Sequence, residues 1–539
     1  MKTTALVFLA ASFAFGQSKQ PDLCVPPPSG TAPALPAKLM TGQGSVHFAI
    51  TTSNPKAQQF FDQGVAQLHS FWAVEAERSF LQAAELDPEA PMPYWGVAMV
   101  AAGDYRPRFQ LDTYDKLFGK SNPLKAAARA IEAARKANEL AQVPGKATPL
   151  EKLYIASIAA RRDVKSKDPE EGYIQGLRAI VAQYPDEIEA PTYLALHLMR
   201  GFDQPGKTPR LTSMEAVAIL RDLLVKAPDH PGVHHYVIHG FEGSSFAKDA
   251  WPSCKRYAEL VTNIPHALHM PGHIYAQTGR WEDAVNSFSA AAENERGYMH
   301  ADKLYGTGHH GHNVHFLATS YSFQGQYDKA KDAARELLGF KENPREIASI
   351  DGFYSAYRQG WFAMLRSLVQ SESWDEILDG STLPVYEKPR EQAWRHWAFA
   401  LAYLGKNNAA LAQTESKQMD ESLADYKARV KMPIPEALEV AREELDGELK
   451  LAEGKLDPAI KKLEHAATME RRMIYSEPPY YPRPVLEALG QAALKNGKLE
   501  EAQSAFKRAL DQYPGSFRAQ AGLRAILERE HKSAAVAEF

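Results

Sequence analysis

Two histidine pairs, His235 with His239 and His269 with His273, have a spacing of four residues and lie 34 residues from one another. His312 and His315 follow at a spacing of three, and His266 stands three residues before His269. On a helix, side chains three or four apart leave the same face with Cβ atoms about 5–6 Å apart. Each pair therefore offers two imidazoles to one ion, the spacing that HExxH zinc helices use. A pair from a neighbouring helix completes a tetrahedral shell or leaves a position open for water or substrate. Histidine ligation without thiolate suits zinc, copper, iron or nickel. Twelve of the 18 histidines fall between His230 and His315, where even scattering would put about three. The candidate metal ligands are thus His235, His239, His266, His269, His273, His312 and His315.

Imidazoles that face one another repel when charged, so something must neutralise them. A metal does so; a pH-sensitive ligand clamp and an incidental polar network are the competing readings. Glu242 and Asn313 lie beside the column as supporting partners or additional ligands. His234 is one residue off the stripe, and His300, His309 and His310 fall in a predicted loop. His197, His396 and His465 read as core histidines.

The elements that must position these groups are helices. Residues 18–45 are rich in Pro, Gly and Ser and read as an extended leader. From about Asn54, apolar residues recur at helical spacing in stretches of 12–16 separated by Gly, Pro or Asp turns, with almost no alternating β-branched runs. The clearest unit spans residues 485–516. Leu486, Leu489 and Ala493 make one apolar stripe, Gly490 is small where a second helix approaches, and Gly497 turns the chain. Leu499, Ala502, Phe506 and Ala509 make the facing stripe, and Pro514 ends it. The pattern recurs around Ala76, Gly279, Gly325 and Gly454. The expectation is an all-α, right-handed α-solenoid of about ten or eleven stacked hairpins. Its segments are residues 54–230, a histidine-rich stretch 231–340, and 341–539.

This grammar resembles the tetratricopeptide repeat, whose unit length matches the 34-residue offset of the two histidine pairs. The resemblance implies that positions ten and thirteen before each turn glycine face a concave groove, so three successive first helices present the column there. FFDQGVAQLHSFWAVEAERSF, HALHMPGHIYAQTGRWEDAV, HNVHFL and EPPYYPRPVLEALG also resemble strings of an exported bacterial tetratricopeptide family, across most of the chain from about His47. That resemblance implies fold and export but no settled activity. The family has Phe-Asn-His where this chain has Phe71-Trp72-Ala73.

Lys2, the apolar run Ala5–Phe15 and the small residues at 14–16 predict a signal peptide over 1–16, then a Pro-rich leader over 17–53. The expected location is periplasmic or extracellular. A net charge of −4 with no basic stripe argues against nucleic acid as a partner, and no apolar run is long enough to span a bilayer. Two cysteines, Cys24 and Cys254, do not make a disulfide framework. GxSxG, Walker and Rossmann patterns are absent. Trp95, Trp361, Trp394 and Trp397 read as packing; Tyr480, Tyr481 and Arg483 are candidates for ligand contact at the groove's far end. The reading is an exported solenoid with a histidine-built transition-metal site. The alternative is a non-catalytic module that binds a peptide, glycan or protein in its groove.

Overall fold

The computed structural model describes residues 36–103, 105, 123–301, 305–340, 355–473 and 475–537. The expected signal peptide, most of the leader and Cys24 lie outside them. The chain is an all-α solenoid. Helices α1 (Pro55–His69) and α2 (Ala73–Leu86) form the first hairpin, and α3 (Pro91–Val100) and α4 (Pro123–Ala141) the second. The third and fourth are α5 (Pro149–Arg161) with α6 (Pro169–Gln183), and α7 (Glu189–Leu198) with α8 (Ser213–Lys226). Then come α9 (Pro231–Phe241) with α10 (Trp251–Leu260), α11 (Pro265–Gln277) with α12 (Trp281–Ala301), and α13 (Gly308–Phe323) with α14 (Tyr327–Leu338). The C-terminal part pairs α15 (Ala356–Gln370) with the short α16 (Trp374–Leu378), α17 (Pro389–Gly405) with α18 (Ala409–Val430), and α19 (Glu436–Ala452) with α20 (Leu456–Arg472). It closes with α21 (Val485–Lys495), α22 (Leu499–Gln512) and a terminal α23 (Phe517–Ala537). That is eleven hairpins among the described residues. The loop after α7 holds a two-stranded antiparallel ribbon with Phe202 opposite Pro209, a feature the helical periodicity did not signal.

Local chemistry sets the helix limits. Proline opens α1, α3, α5, α6, α9 and α11 near the first position, where its missing N–H costs nothing. Thr148 and Glu151 close a reciprocal capping box on α5. Gly279, Gly325, Gly454 and Gly497 turn their hairpins with φ between +74° and +80°. Inside the hairpins a glycine of the first helix lies under a phenylalanine of the second. A Cβ at Gly64, Gly272 or Gly490 would stand 2.6, 2.5 or 2.6 Å from the ring of Phe80, Phe288 or Phe506. Trp95, Trp361, Trp394 and Trp397 are buried in the core, as their spacing implies.

The array curls so that segments far apart in sequence meet over its middle. Residues 36–53 are not a loose tether. Phe48 packs against Phe61, Trp95 and Tyr154, Thr51 bonds twice to Glu151, and Gly42 accepts from the backbone N–H groups of Thr262 and Asn263. From the other end, Trp281 Nε1 donates to the Pro514 carbonyl at 2.8 Å. The strap between α20 and α21, residues 475–484, is held by the buried Arg366, which donates to the carbonyls of Tyr481, at 3.0 Å, and Pro482. Gln370 donates to the same Pro482 oxygen at 2.7 Å.

Gly272→Ala is expected to lower stability by about 1–3 kcal/mol through overpacking on Phe288. Adding Phe288→Leu in the same chain should recover part of that loss. Equilibrium denaturation of the four proteins checks this; strictly additive losses would show that ring and glycine do not meet.

Candidate metal centre

The three histidine helices are α9, α11 and α13. They bring six of the seven expected ligands together in two groups whose ligand atoms lie within 4.8 Å of one another: His235, His239 and His266, and His269, His273 and His312. The registration by one repeat is what makes this possible. His315 belongs to neither group. It faces away, its Nδ1 against Gln359 Oε1, and burial together with the Arg366 charge pushes its pKa down to about 3. Three residues past His312 on α13 is simply far enough round to point at α15 instead of α11.

The groove is not open, as the repeat pattern suggested. His235, His266, His269 and His273 are buried, because the 475–484 strap covers α11 and Phe71 covers α9. Phe71 turns the first hairpin with φ +53°, a left-handed conformation that costs a bulky residue about 1–3 kcal/mol. It places its ring 4.7 Å from His235, 5.4 Å from His239 and 5.8 Å from His266.

Hydrogen bonds on the far nitrogens fix which nitrogen points inward. Asn313 Nδ2 donates to the Phe288 carbonyl at 2.9 Å, so its Oδ1 is the atom that meets His269 Nδ1 at 2.7 Å. His269 must then donate from Nδ1, leaving Nε2 as the acceptor that faces the group. His235 donates from Nδ1 to the His69 carbonyl, and His239 from Nδ1 to Glu242 Oε2 at 3.2 Å. The Nε2 atoms of both are buried with no hydrogen-bond partner. His273 donates from Nδ1 to Glu242 Oε1 at 2.6 Å and to Glu477. One carboxylate, Glu242, thus serves both groups, one oxygen each. Protonated Nδ1 on a carboxylate, amide or carbonyl, with Nε2 turned inward, is the tautomer that metal-bound imidazoles take.

One of the two inter-ring distances matches metal ligation and the other marks a shared proton. His312 Nε2 stands 3.2 Å from His269 Nε2, close to the separation of about 3.3 Å between two nitrogens of a tetrahedral zinc site with bonds near 2.0–2.1 Å. His273 Nε2 lies 2.6 Å from His269 Nε2, too close for two lone pairs, so a proton joins them. His273 supplies it: burial works to lower its pKa, but the Glu477 and Glu242 carboxylates outweigh burial and raise it to about 10. His235, His266, His269 and His312 go the other way. Burial, reinforced by neighbouring imidazoles, holds all four well below the usual histidine range.

A third group, His69, Glu189 and His230, has equally close ligand atoms but different proton placement. His230 Nδ1 accepts from the Val233 N–H, so its Nε2 donates to Glu189 Oε1 at 2.8 Å. His69 Nε2 meets Glu189 Oε2 at 2.6 Å, and its Nδ1 meets the Tyr236 hydroxyl at 3.1 Å. Both rings spend their inward nitrogens on the carboxylate, a closed hydrogen-bonded network with no lone pair to offer.

The remaining histidines sort accordingly. His234 bonds to Ser253 and the Pro228 carbonyl. His197 is a buried core residue between Tyr105 and Glu170, His396 is half-buried on Glu415, and His465 is on the surface. His300 is exposed at the end of α12. His309 and His310 lie on α13, not in a loop. Two glycines in Gly308-His-His-Gly311 argue against helix locally, but α15 approaches so closely that a Cβ on Gly311 would stand 2.8 Å from Ala356 Cα. Glu295 binds both rings. His309 sits between the two groups, its ring 5.6 Å from His266 and 5.1 Å from His269. Glu477 and Glu295 were not singled out from the sequence, and Phe71 only as part of the departure from the family's Phe-Asn-His; Glu477 carried a signal as the first residue of the EPPYYPRP string. Of the residues after it, Tyr481 and Arg483 are buried against Glu444, and Tyr480 is exposed. Cys254 is a buried free thiol. No described helix is long and apolar enough to cross a membrane.

Fold and site together define a helical-repeat protein with a buried polyhistidine centre. Residues 484–516 match the tetratricopeptide repeat family. Among solved structures, the human IFIT1 dimer with m7Gppp-AAAA is similar at 12% identity and a TM-score of 0.33, covering 89% of this chain and 91% of that one. A tetratricopeptide repeat protein from Parabacteroides merdae is similar at 14% identity and a TM-score of 0.32, covering 64% of this chain and 99% of its own. No curated protein matches the sequence.

Four imidazoles kept neutral by burial set a pH dependence for the metal-free chain. Their folded pKa values lie below the unfolded 6.5, so the unfolded chain takes up more protons in acid. The stability these four contribute should therefore be fully present above about pH 6.5 and fall steeply below it. Thermal melts in chelator across this range check the slope; a flat profile between pH 6.5 and 5 would contradict the buried neutral assignment.

Proposed function

We propose that this chain is a transition-metal protein whose two adjacent three-histidine sites are built on α9, α11 and α13. The observation that carries the reading is the convergence of Nε2 atoms whose Nδ1 protons are pinned from behind by Glu242, Asn313 and a backbone carbonyl. Packing alone has no use for the buried, unpartnered Nε2 atoms of His235 and His239. A metal ion would coordinate them, and three nitrogen donors leave a fourth position for water or an exogenous ligand. The all-nitrogen donor set suits zinc, copper or iron. Beside His266 and His309 lies a cavity of about 60 Å³, room for a few waters, which supports a site open to a small ligand. Zinc there would activate water; copper or iron would support oxidation.

Metal must displace the proton that His273 shares with His269. Binding near neutral pH should release about one proton at that site, so the calorimetric enthalpy should vary with the ionisation enthalpy of the buffer. Zinc, copper and iron(II) are each titrated into the parent, the His269→Ala/His273→Ala double variant and the His235→Ala/His239→Ala double variant. About two equivalents are expected for the parent and about one for each variant, with helical circular dichroism retained. Saturation at a thousandfold excess over Kd should stabilise the parent by about 8 kcal/mol, about 4 kcal/mol for each site. If none of the three metals binds or changes the parent's melting temperature, the reading fails.

A further inference from the structure

The strap that covers the histidine centre also walls a cavity of about 240 Å³. Its inner end is Glu477, whose carboxylate bonds His273, and Phe316, whose ring centre lies 5.5 Å from that of His273. Trp281 and Tyr513 line it from α12 and the end of α22. Its outer wall is the strap, where Tyr475 and Tyr480 are 38% and 48% exposed. Tyrosines left in water at a cavity mouth, with no core to fill, present ring faces to whatever enters.

Charge at the mouth is asymmetric in its commitments. Arg508 is held by both oxygens of Glu464. Glu470, the inner carboxyl, accepts from the Val485 N–H and the Tyr513 hydroxyl. Lys207 and Arg471 line the cavity, are exposed, and among the described residues form no ion pair. Asp511 is the one exposed carboxylate on the same rim. The uncommitted balance is cationic.

We propose that this cavity binds a small aromatic carboxylic acid, its ring against Tyr475 and Tyr480 and its carboxylate on Arg471 and Lys207. The proposal deepens the metal-centre reading and rests on it for its purpose: the ring's far end would lie toward Glu477 and the His269, His273 and His312 group. Guanidinium binds carboxylate through two parallel N–H donors, and ring stacking adds selectivity for a flat ligand.

The test uses 4-hydroxybenzoate as the probe, with 4-hydroxybenzyl alcohol and glucuronate as neutral and non-aromatic comparators, followed by equilibrium dialysis. Metal content is measured on every sample. One molecule of 4-hydroxybenzoate per chain is expected, bound at least tenfold more tightly than either comparator. Arg471→Glu should weaken it about tenfold, the loss of one charge-assisted contact. Tyr480→Ala should weaken it several-fold, and both exposed variants should keep the parent's metal content. Parent protein that carries metal but takes no probe, or takes the alcohol equally well, overturns the pocket and leaves the histidine centre standing. Binding of the probe by protein that takes up none of zinc, copper or iron supports the pocket while removing the centre.

Discussion

Glu242 is the group on which the centre depends. One oxygen holds His239 and the other holds His273, so a single carboxylate orients a ring in each histidine group and joins α9 to α11. It stays charged in a buried setting because His273 and His239 outweigh the cost of burial and hold its pKa well below the usual carboxylate range. Removing that charge would leave His273 with Glu477 alone and His239 with no orienting partner among the described residues. A buried imidazole without a fixed Nδ1 donor bond can rotate or change tautomer, and the inward lone pair would be lost.

The helical repeat supplies what a carboxylate cannot: register. Because α9 and α11 start 34 residues apart, His235 and His239 stand over His269 and His273 without any special loop. Depth comes from elsewhere. Gly272 lets the Phe288 ring sit against α11, the leader ties to residues 262 and 263, and Arg366 anchors the strap that carries Glu477. Hairpins distant in chain order therefore meet over one set of rings. The curvature that would give an open solenoid a groove here gives a lined interior.

Much of this was legible in the residues. The turn glycines, the small residues under phenylalanines and the histidine spacing gave the helices and six of seven candidate ligands, because both signals are local and periodic. His315 was misplaced because a three-residue step on α13 was taken to face the same way as four-residue steps on α9 and α11. The strap was not legible as a cover: its role depends on Arg366 and Gln370, more than a hundred residues away in sequence. Phe71 was unreadable for a related reason. Propensity expects glycine at a left-handed turn, and the ring's contacts with three histidines and with Tyr105 and Tyr236 account for a bulky residue there. His309 and His310 were lost to the glycines that flank them, which α15 packs against.

The central claim is that inward Nε2 atoms on α9, α11 and α13 bind metal. The most direct measurement is anomalous diffraction from crystals of chelator-free protein, collected above and below the absorption edge of the metal present. The account predicts anomalous peaks about 2.0–2.1 Å from the Nε2 atoms of His269, His273 and His312, and of His235, His239 and His266. Density that shows ordered rings with no anomalous peak at either group, from protein saturated with zinc, copper or iron, would contradict it.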